Sequence, residues 1–316
     1  MATPTLLSVL LLLLPLQCQS IYLDIHIPLP DGCLQYHALL ANRLLRHGSA
    51  DSSGGAAAIL HTEQVNLFSS HTPHISLYLA NFDLEISTLS INNNGSIPIP
   101  LNDTKVSAFL NEISSVNFTE IITGMECTLT FDSKNPPNTY YIINGDYTML
   151  PIAKTPCLQA LSDTILFAMK SYLRQPVVVP NWVADLPEPS RSASIYRSRE
   201  YGSPNVLEGF DPHVTVGFDP PTLLLTHSQK VRSAMHSPIL GSDGNSPDNH
   251  SNNQANNLQW RIDAMNQWND IYQQTVTSES CVNQVSRIAL GKVGVGGTVL
   301  ANSRMWYWDI PPGDRI

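Results

Sequence analysis

Two short segments of the chain share an alternation of apolar and polar residues that is typical of a half-buried β-strand. The first reads HTPHISLYL from His71, and the second reads DPHVTVGF from Asp211. Because side chains on a strand alternate between two faces, His74 and Ser76 lie on one face of the first predicted strand. The apolar residues between them lie on the opposite face. The pattern therefore predicts a sheet with a polar row on one side and a helix packed against the other.

The second segment repeats this arrangement with His213 and Thr215 on one face, while Tyr78 extends the polar face of the first segment beyond His74 and Ser76. In each segment the imidazole and the hydroxyl lie about 6.5–7 Å apart along the strand, which suits one phosphate group. A single histidine two positions before Ser or Thr says little about function, because an ordinary histidine at the rim of a sheet gives the same pattern. Two copies in opposite halves of the chain, each entered from a Pro-containing turn, indicate a paired site.

Two imidazoles and two hydroxyls around one point are the groups that phosphodiester hydrolysis needs. A neutral histidine accepts a proton from the attacking water, and a protonated one gives a proton to the leaving oxygen. Hydroxyls donate hydrogen bonds to the phosphate oxygens as charge develops there. The sequence thus predicts His74 and His213 as catalytic and Ser76 and Thr215 as phosphate-binding. Tyr78 is a candidate for substrate binding, with packing in the core as its alternative. This chemistry requires no metal and no cofactor.

The two segments resemble the paired signatures of the 2H phosphoesterase superfamily, which includes 2′-5′ RNA ligase-like proteins and cyclic nucleotide phosphodiesterases. The opening IYLDIHIPL and the block YYIINGDYTMLPI, each followed by a predicted helix, are similar to that family's pattern. The resemblance covers residues 21–310 and implies a single bilobal domain. Its two pseudo-symmetric lobes would each have an antiparallel sheet, with helices on the outer faces and a cleft between the lobes. It implies His74 and His213 as acid and base, with Ser76 and Thr215 holding the phosphate.

Periodicity along the chain predicts a mixed α+β fold with antiparallel sheets, because strands and helices alternate without regular βαβ order. Strands are predicted at 21–29, 120–131, 140–143, 213–218, 286–300 and 304–310, and helices at 33–45, 102–115 and 155–173. Two polar segments interrupt the pattern. Residues 184–210 indicate a linker or surface excursion, and the Asn-rich residues 239–257 indicate a disordered insertion.

The N-terminus predicts export. An apolar run from Leu6 to Leu16 is shorter than the roughly 20 residues that span a bilayer, and small residues follow it. This layout predicts a secretory signal peptide over residues 1–20, with a buried first helix as the alternative. The expected protein is therefore secreted, without stable membrane insertion.

Cysteines and glycosylation motifs agree with that compartment. Beyond Cys18, the chain has four cysteines, which predict up to two disulfides among three possible pairings, or else buried free thiols. They are Cys33, Cys127, Cys157 and Cys281. Asn-x-Ser/Thr acceptors for glycosylation occur at Asn94, Asn102, Asn117 and Asn249.

The other motifs in the sequence give weaker indications of function. The glycine-rich ALGKVGVGGTVL is not a P-loop, because no Gly-Lys is followed by Ser or Thr, and it predicts a hairpin or bulge close to the cleft. His71 is a candidate zinc ligand. It stands alone, because the sequence contains no second pair of residues with the spacing of zinc ligands. No Gly-x-Ser-x-Gly motif is present in the sequence, which weakens a serine-hydrolase interpretation.

The net charge of the chain limits the kind of ligand that it can bind. The 316 residues include 17 Lys and Arg against 26 Asp and Glu, for a net charge of −9. Long duplex nucleic acid needs Lys and Arg to neutralise its phosphates, so we expect a small phosphodiester or a short RNA end instead. The predicted function is hydrolysis of small phosphodiesters, such as nucleoside 2′,3′-cyclic phosphates or RNA ends. The alternative is a secreted protein that binds a phosphate-bearing ligand without turning it over. Ligation of RNA ends would need a larger basic surface.

Overall fold

A computed structural model describes residues 21–47, 65–84, 104–132, 141–143, 147–218, 249–276 and 281–310. The predicted signal peptide, the acceptors Asn94 and Asn102, and residues 239–248 of the Asn-rich segment lie outside the described residues. Strands and helices follow one another in mixed order, and every sheet pairing is antiparallel. The predicted α+β class with antiparallel sheets is therefore confirmed.

The strands in chain order are β1 (Ile21–Pro28), β2 (His71–Thr72), β3 (His74–Phe82), β4 (Thr128–Leu129), β5 (Tyr141–Ile143), β6 (Tyr147–Pro151), β7 (His213–Phe218), β8 (Asn283–Gln284), β9 (Arg287–Val293) and β10 (Val299–Asp309). The helices are α1 (Cys33–His47), α2 (Thr104–Ser115), α3 (Phe118–Gly124), α4 (Pro156–Met169), α5 (Ser190–Tyr201) and α6 (Asn249–Thr275). Short 3-10 turns lie at Lys170–Tyr172, Asn181–Asp185, Leu207–Gly209 and Val295–Gly297.

The two histidine motifs belong to different sheets. A five-stranded sheet has the order β2-β10-β9-β1-β3 and contains the first motif on β3. A three-stranded sheet has the order β5-β6-β7 and contains the second motif on β7, while β4 and β8 form a separate pair. Strands β3 and β7 contact each other, so the two motifs meet where the two sheets come together.

A helix supports each motif strand on its apolar side, as the alternation predicts. Helix α4 begins after Thr155, whose hydroxyl accepts a hydrogen bond from the Leu158 amide, with proline at its first turn. The buried Ser162 of this helix donates to the Leu77 carbonyl of β3 at 2.8 Å. On the other side, the amide of the buried Asn42 in α1 donates to the Val216 carbonyl of β7 at 2.8 Å. Both strands are thus fixed by a buried polar contact as well as by apolar packing.

Three segments differ from the sequence predictions. The predicted strand at 120–131 is wrong over its first half, which is helix α3, because the Asn117 side chain caps the Glu120 amide at 3.2 Å and Phe118 and Ile122 are buried on one side. Residues 184–210 are not a linker, since they contain helix α5. The predicted disorder is wrong for residues 249–257, where α6 begins, and no helix was predicted over the rest of α6.

Helix α6 is held by an apolar and aromatic contact with α1. The fully buried Trp268 donates its indole N–H to the His37 carbonyl at 2.9 Å, and its ring stacks on Tyr272 at 5.2 Å. The helix begins in the polar Asn-rich segment, which hides it from a periodicity search, although the buried residues Ala264, Met265 and Trp268 recur at helical spacing.

Both predicted disulfides form, and the structure selects one of the three pairings. Cys33 bonds to Cys281, across 248 residues of chain, and Cys127 bonds to Cys157, across 30 residues. The two bonds fit a protein of an oxidising compartment, as the predicted export requires. Over the described ranges, no helix is both long and apolar enough to cross a bilayer.

Candidate active site

A cleft of about 510 Å³ lies where the two motif strands meet. His74 and Ser76 from β3 and His213 and Thr215 from β7 are all among its lining residues. The predicted pairing of the two motifs is therefore present in the fold. The glycine-rich segment also forms the predicted hairpin between β9 and β10, and Gly296 and Gly297 at its turn line the same cleft.

His74 is held at the buried end of the cleft, with 5% of its surface exposed. Its Nδ1 lies 2.7 Å from the Thr72 carbonyl oxygen, and its Nε2 lies 3.1 Å from Oδ2 of Asp24 on β1. The ring of His26, also on β1, meets the His74 ring edge-on at 5.0 Å between centroids. Both nitrogens of the first predicted catalytic histidine are therefore engaged by oxygen atoms of the fold.

Ser76 also contacts Asp24. Its hydroxyl donates to Oδ2 of Asp24 at 2.5 Å and lies 3.4 Å from Nε2 of His74. Because a hydroxyl has one hydrogen, Ser76 must rotate that hydrogen away from Asp24 before it can donate to a phosphate. The three side chains form one cluster, which we call the Asp24 cluster: Asp24, His74 and Ser76.

His213 differs from His74 in its surroundings. It is half-buried, and its Nδ1 lies 2.8 Å from the Asp211 carbonyl oxygen. Burial lowers the pKa of His213, and the charge of His74 lowers it further, while Asp211 and Asp24 act in the opposite direction. The ring therefore tends to be neutral at pH 7, with its hydrogen on Nδ1 facing the carbonyl.

Thr215 and Tyr78, the remaining predicted site residues, differ in their surroundings more than the shared strand pattern indicates. Thr215 lines the cleft beside His213 and pairs with Met149 of β6. Tyr78 also borders the cleft, yet only 1% of its surface is exposed, and its hydroxyl donates to the Tyr201 carbonyl at 2.7 Å. Burial raises the pKa of Tyr78. Its placement favours packing over the predicted substrate contact, because both its ring and its hydroxyl are already used by the fold.

One wall of the cleft comes from the segment that was predicted to be an excursion. Arg197 of α5 is the only Lys or Arg lining the cleft within the described part of the chain. Its guanidinium binds Glu208 at 2.9 Å, the Pro204 carbonyl at 2.8 Å and the Ser194 hydroxyl at 3.1 Å. A cation with three partners on its own wall shapes the wall and offers little charge to a ligand. Trp182 and Tyr147 add aromatic surface to the cleft.

His71, the candidate zinc ligand, has a structural role. Its Nδ1 accepts a hydrogen bond from the Asn66 amide at 3.1 Å and lies 3.3 Å from the Ser70 hydroxyl. Among the residues that the structure describes, no three His, Cys, Asp or Glu side chains lie together as metal ligands.

Sequence reasoning missed Asp24 and His26. The sequence predicts the first strand as an alternating apolar run, but it assigns no role to the polar residues that recur at Tyr22, Asp24 and His26. Period two places these residues on one face, which was the available signal. The contact with the histidine motif also needed the pairing register, in which His26 lies opposite Ser76.

A scan of the chain against protein-family models gives no match, and a search of the curated proteins finds none similar to it. Function must therefore be inferred from the geometry of the cleft.

Proposed function

We propose that the protein is a metal-independent phosphodiesterase that hydrolyses small phosphodiesters, such as nucleoside 2′,3′-cyclic phosphates or RNA ends. One observation carries this proposal: His74 and His213 line a single cleft, each two residues from a hydroxyl on the same strand. An acid, a base and hydroxyl donors around one phosphate are sufficient for the reaction. The roles of Ser76 and Thr215 in holding the phosphate belong to the proposal.

The state of the two histidines supports acid–base chemistry. His213 has its pKa lowered by burial, whereas His74 faces the carboxylate of Asp24. Different surroundings for two titratable groups are the usual sign of separate acid and base roles. A site that only gripped phosphate would gain more from permanent cations such as Arg or Lys.

The composition of the cleft supports a small ligand. Its volume of about 510 Å³ is within the range of small-molecule sites. Arg197, the single Arg lining it among the residues that the structure describes, is already paired with Glu208. One phosphodiester charge suits such a wall, while a long polyphosphate backbone would find no row of cations. Trp182 and Tyr147 offer apolar contact to a nucleobase.

The bilobal, pseudo-symmetric arrangement and membership of the 2H phosphoesterase superfamily are part of this proposal. Two features support them: each motif strand lies in its own antiparallel sheet, and each is supported by a helix through a buried polar contact. The sheets have five and three strands, so any symmetry between the lobes is limited to their central elements.

The test measures kcat/KM on a panel of nucleoside 2′,3′-cyclic phosphates with a chelator present. We expect turnover by the wild-type protein and a loss of about 10²–10⁴-fold in His74→Ala and in His213→Ala, the usual contribution of a general acid or base. His71→Ala is the matched control, because it removes a buried histidine of β2 that does not line the cleft, and it should keep most of the turnover.

Near wild-type turnover in either single variant would show that the two-histidine mechanism is wrong. Loss of wild-type activity in the chelator alone would contradict metal independence. Tight binding of a cyclic phosphate with no product after long incubation would instead favour the non-catalytic binding protein.

A further inference from the structure

The two nitrogens of His74 face atoms that accept hydrogen bonds. Nδ1 lies 2.7 Å from the Thr72 carbonyl oxygen, which has no hydrogen to donate. Nε2 lies 3.1 Å from Oδ2 of Asp24. A neutral imidazole has one N–H and could satisfy only one of these acceptors. A doubly protonated ring satisfies both.

Two side chains contact the same oxygen of Asp24. Its side chain is fully buried, and Oδ2 receives the hydroxyl hydrogen of Ser76 in addition to facing Nε2 of His74. Two donors on one oxygen suit a carboxylate, because hydrogen bonds to the charged form stabilise it. A buried carboxylate also needs a cation beside it, since an unpaired one costs several kcal/mol. The imidazolium of His74 is that cation.

The groups that face the Asp24 cluster from neighbouring strands are themselves histidines. His26 of β1 packs against the His74 ring, with its Nδ1 3.0 Å from the Asp24 carbonyl oxygen. The charge of His74 lowers the pKa of His71 on β2 and of His213 on β7. One positive charge at His74 therefore disfavours a second one nearby. The carboxylate of Asp24 also acts on His213, but it is in direct contact with Nε2 of His74.

His213 shares with His74 the contact of Nδ1 with a backbone carbonyl, but burial is the largest influence on its ring. Its Nδ1 faces the Asp211 carbonyl oxygen at 2.8 Å, so its hydrogen belongs on Nδ1 and Nε2 carries the lone pair. Burial, the largest influence on this ring, favours the neutral form. Of the two motif histidines, His213 is thus prepared to accept a proton and His74 to give one.

We propose that Asp24 is a positioning residue that keeps both ring nitrogens of His74 protonated, which makes His74 the general acid and His213 the general base. This inference rests on the proposed phosphodiesterase function and deepens it, because the repeated motif alone leaves the two roles open. The contact of 3.1 Å between Nε2 and Oδ2 is longer than a typical charge-assisted hydrogen bond, so a leaving oxygen can compete with Asp24 for the N–H.

The proposed step balances without a co-reactant other than water. The water oxygen forms a bond to phosphorus while its proton passes to Nε2 of His213. The bond between phosphorus and the leaving sugar oxygen breaks, and that oxygen takes the proton from Nε2 of His74. The ring of His74 is then neutral and that of His213 charged, and exchange with solvent restores the starting state.

The test compares two phosphodiesters of the same nucleotide, one with a sugar alkoxide as leaving group and one with 4-nitrophenolate, which leaves without taking a proton. Asp24→Asn keeps the shape of the side chain and removes its charge. We expect it to lose about 10²-fold or more in kcat/KM on the alkoxide substrate, as removal of a general acid does, and to stay close to wild type on the nitrophenyl ester. His74→Ala should show the same selectivity, and His213→Ala should lose activity on both substrates.

The outcomes separate this inference from the proposed function. No wild-type turnover of either substrate would refute the phosphodiesterase proposal itself. Wild-type turnover with equal loss on both substrates in Asp24→Asn, or with no loss, would overturn only the role of Asp24. Sparing of the nitrophenyl ester in His213→Ala instead of His74→Ala would reverse the assignment.

A second measurement keeps the inference testable even if Asp24→Asn fails to fold. Nitrogen-15 NMR of the histidine rings of the wild-type protein at pH 7.5, assigned by the signals lost in His74→Ala, distinguishes a doubly protonated ring from a neutral one. We expect both nitrogens of His74 to be protonated. A neutral His74 at this pH would overturn the proposal.

Discussion

The two disulfides provide a quantitative test of how the chain is held together. Cys33–Cys281 joins the start of α1 to the segment that precedes β8, and it closes a loop of 248 residues. Cys127–Cys157 joins the segment before β4 to the first turn of α4, and its loop has 30 residues. The bonds therefore differ about eightfold in the length of chain that they restrain in the unfolded state.

The chain-entropy relation converts these lengths into free energies. At 25 °C the loop of 248 residues corresponds to about 5.5 kcal/mol and the loop of 30 residues to about 3.6 kcal/mol. The difference of about 1.9 kcal/mol depends only on the ratio of the two lengths, because the constant part of the relation cancels. It is therefore the firmer quantity to measure.

The assay is urea unfolding of two double variants, Cys33→Ser with Cys281→Ser and Cys127→Ser with Cys157→Ser. We expect both to be less stable than the parent protein and the first to be less stable than the second by about 1.9 kcal/mol. Each variant places serine at sites that are mostly buried, so the polar cost of substitution is similar in the pair. A larger loss from the short loop would show that native packing or residual structure, and not chain entropy, sets the contribution of these bonds.

Two further predictions concern stability. Gly296→Ala should lower the melting temperature, because the residue has φ of +61° and a Cβ there would lie 2.6 Å from the Phe218 side chain; Gly124→Ala, with no atom within 4 Å of the new Cβ, is the control and should not lower it. Burial lowers the pKa of both His37 and His71, so the unfolded state holds more protons than the folded state once the pH drops below about 6.5. The free energy of unfolding should therefore fall as the pH decreases from 7.5 to 5.5, by up to about 1.4 kcal/mol per pH unit for each such histidine, and His37→Phe should flatten this dependence in urea titrations. A dependence as steep in His37→Phe as in the wild-type protein would contradict the burial of the His37 ring as a neutral group.

The elements that the sequence predicted well are those whose pattern is decided locally. Strand β7 begins and ends where alternation places it, at His213–Phe218, because proline precedes it and one face is apolar. Helix α4 combines a threonine cap, a proline in its first turn and a continuous apolar stripe, so every local signal agrees.

Two elements were not predicted from the sequence pattern, α3 because of a local cap and α6 because of a distant contact. Residues of α3 are rich in Ile and Thr, which favour strands, and the cap at Asn117 outweighs that preference. Helix α6 begins in the polar Asn-rich segment, and its position depends on the hydrogen bond from Trp268 to α1, 231 residues away along the chain.

The candidate site shows the same contrast between local patterns and distant contacts. The repeated motif was sufficient to predict that His74 and His213 would come together, since two matching strands with polar faces can both contact one ligand. Their neighbours were not predictable from the motif, because they come from β1 and from the backbone around Asp211. Period two identifies the face of β1 on which Asp24 lies, but only the register of a folded sheet identifies which histidine it touches.

This division has a chemical consequence. Two histidines in identical surroundings would gain and lose protons together, and the productive state, with one ring charged and the other neutral, would form only near their common pKa. The fold breaks that equivalence, because Asp24 lies 3.1 Å from Nε2 of His74, whereas burial is the largest influence on the pKa of His213 and lowers it. A sequence repeat can supply two similar groups, whereas the difference that acid–base catalysis needs must come from residues outside the repeat. In the proposed mechanism Asp24 distinguishes His74 from His213, and it is therefore the most informative position to change.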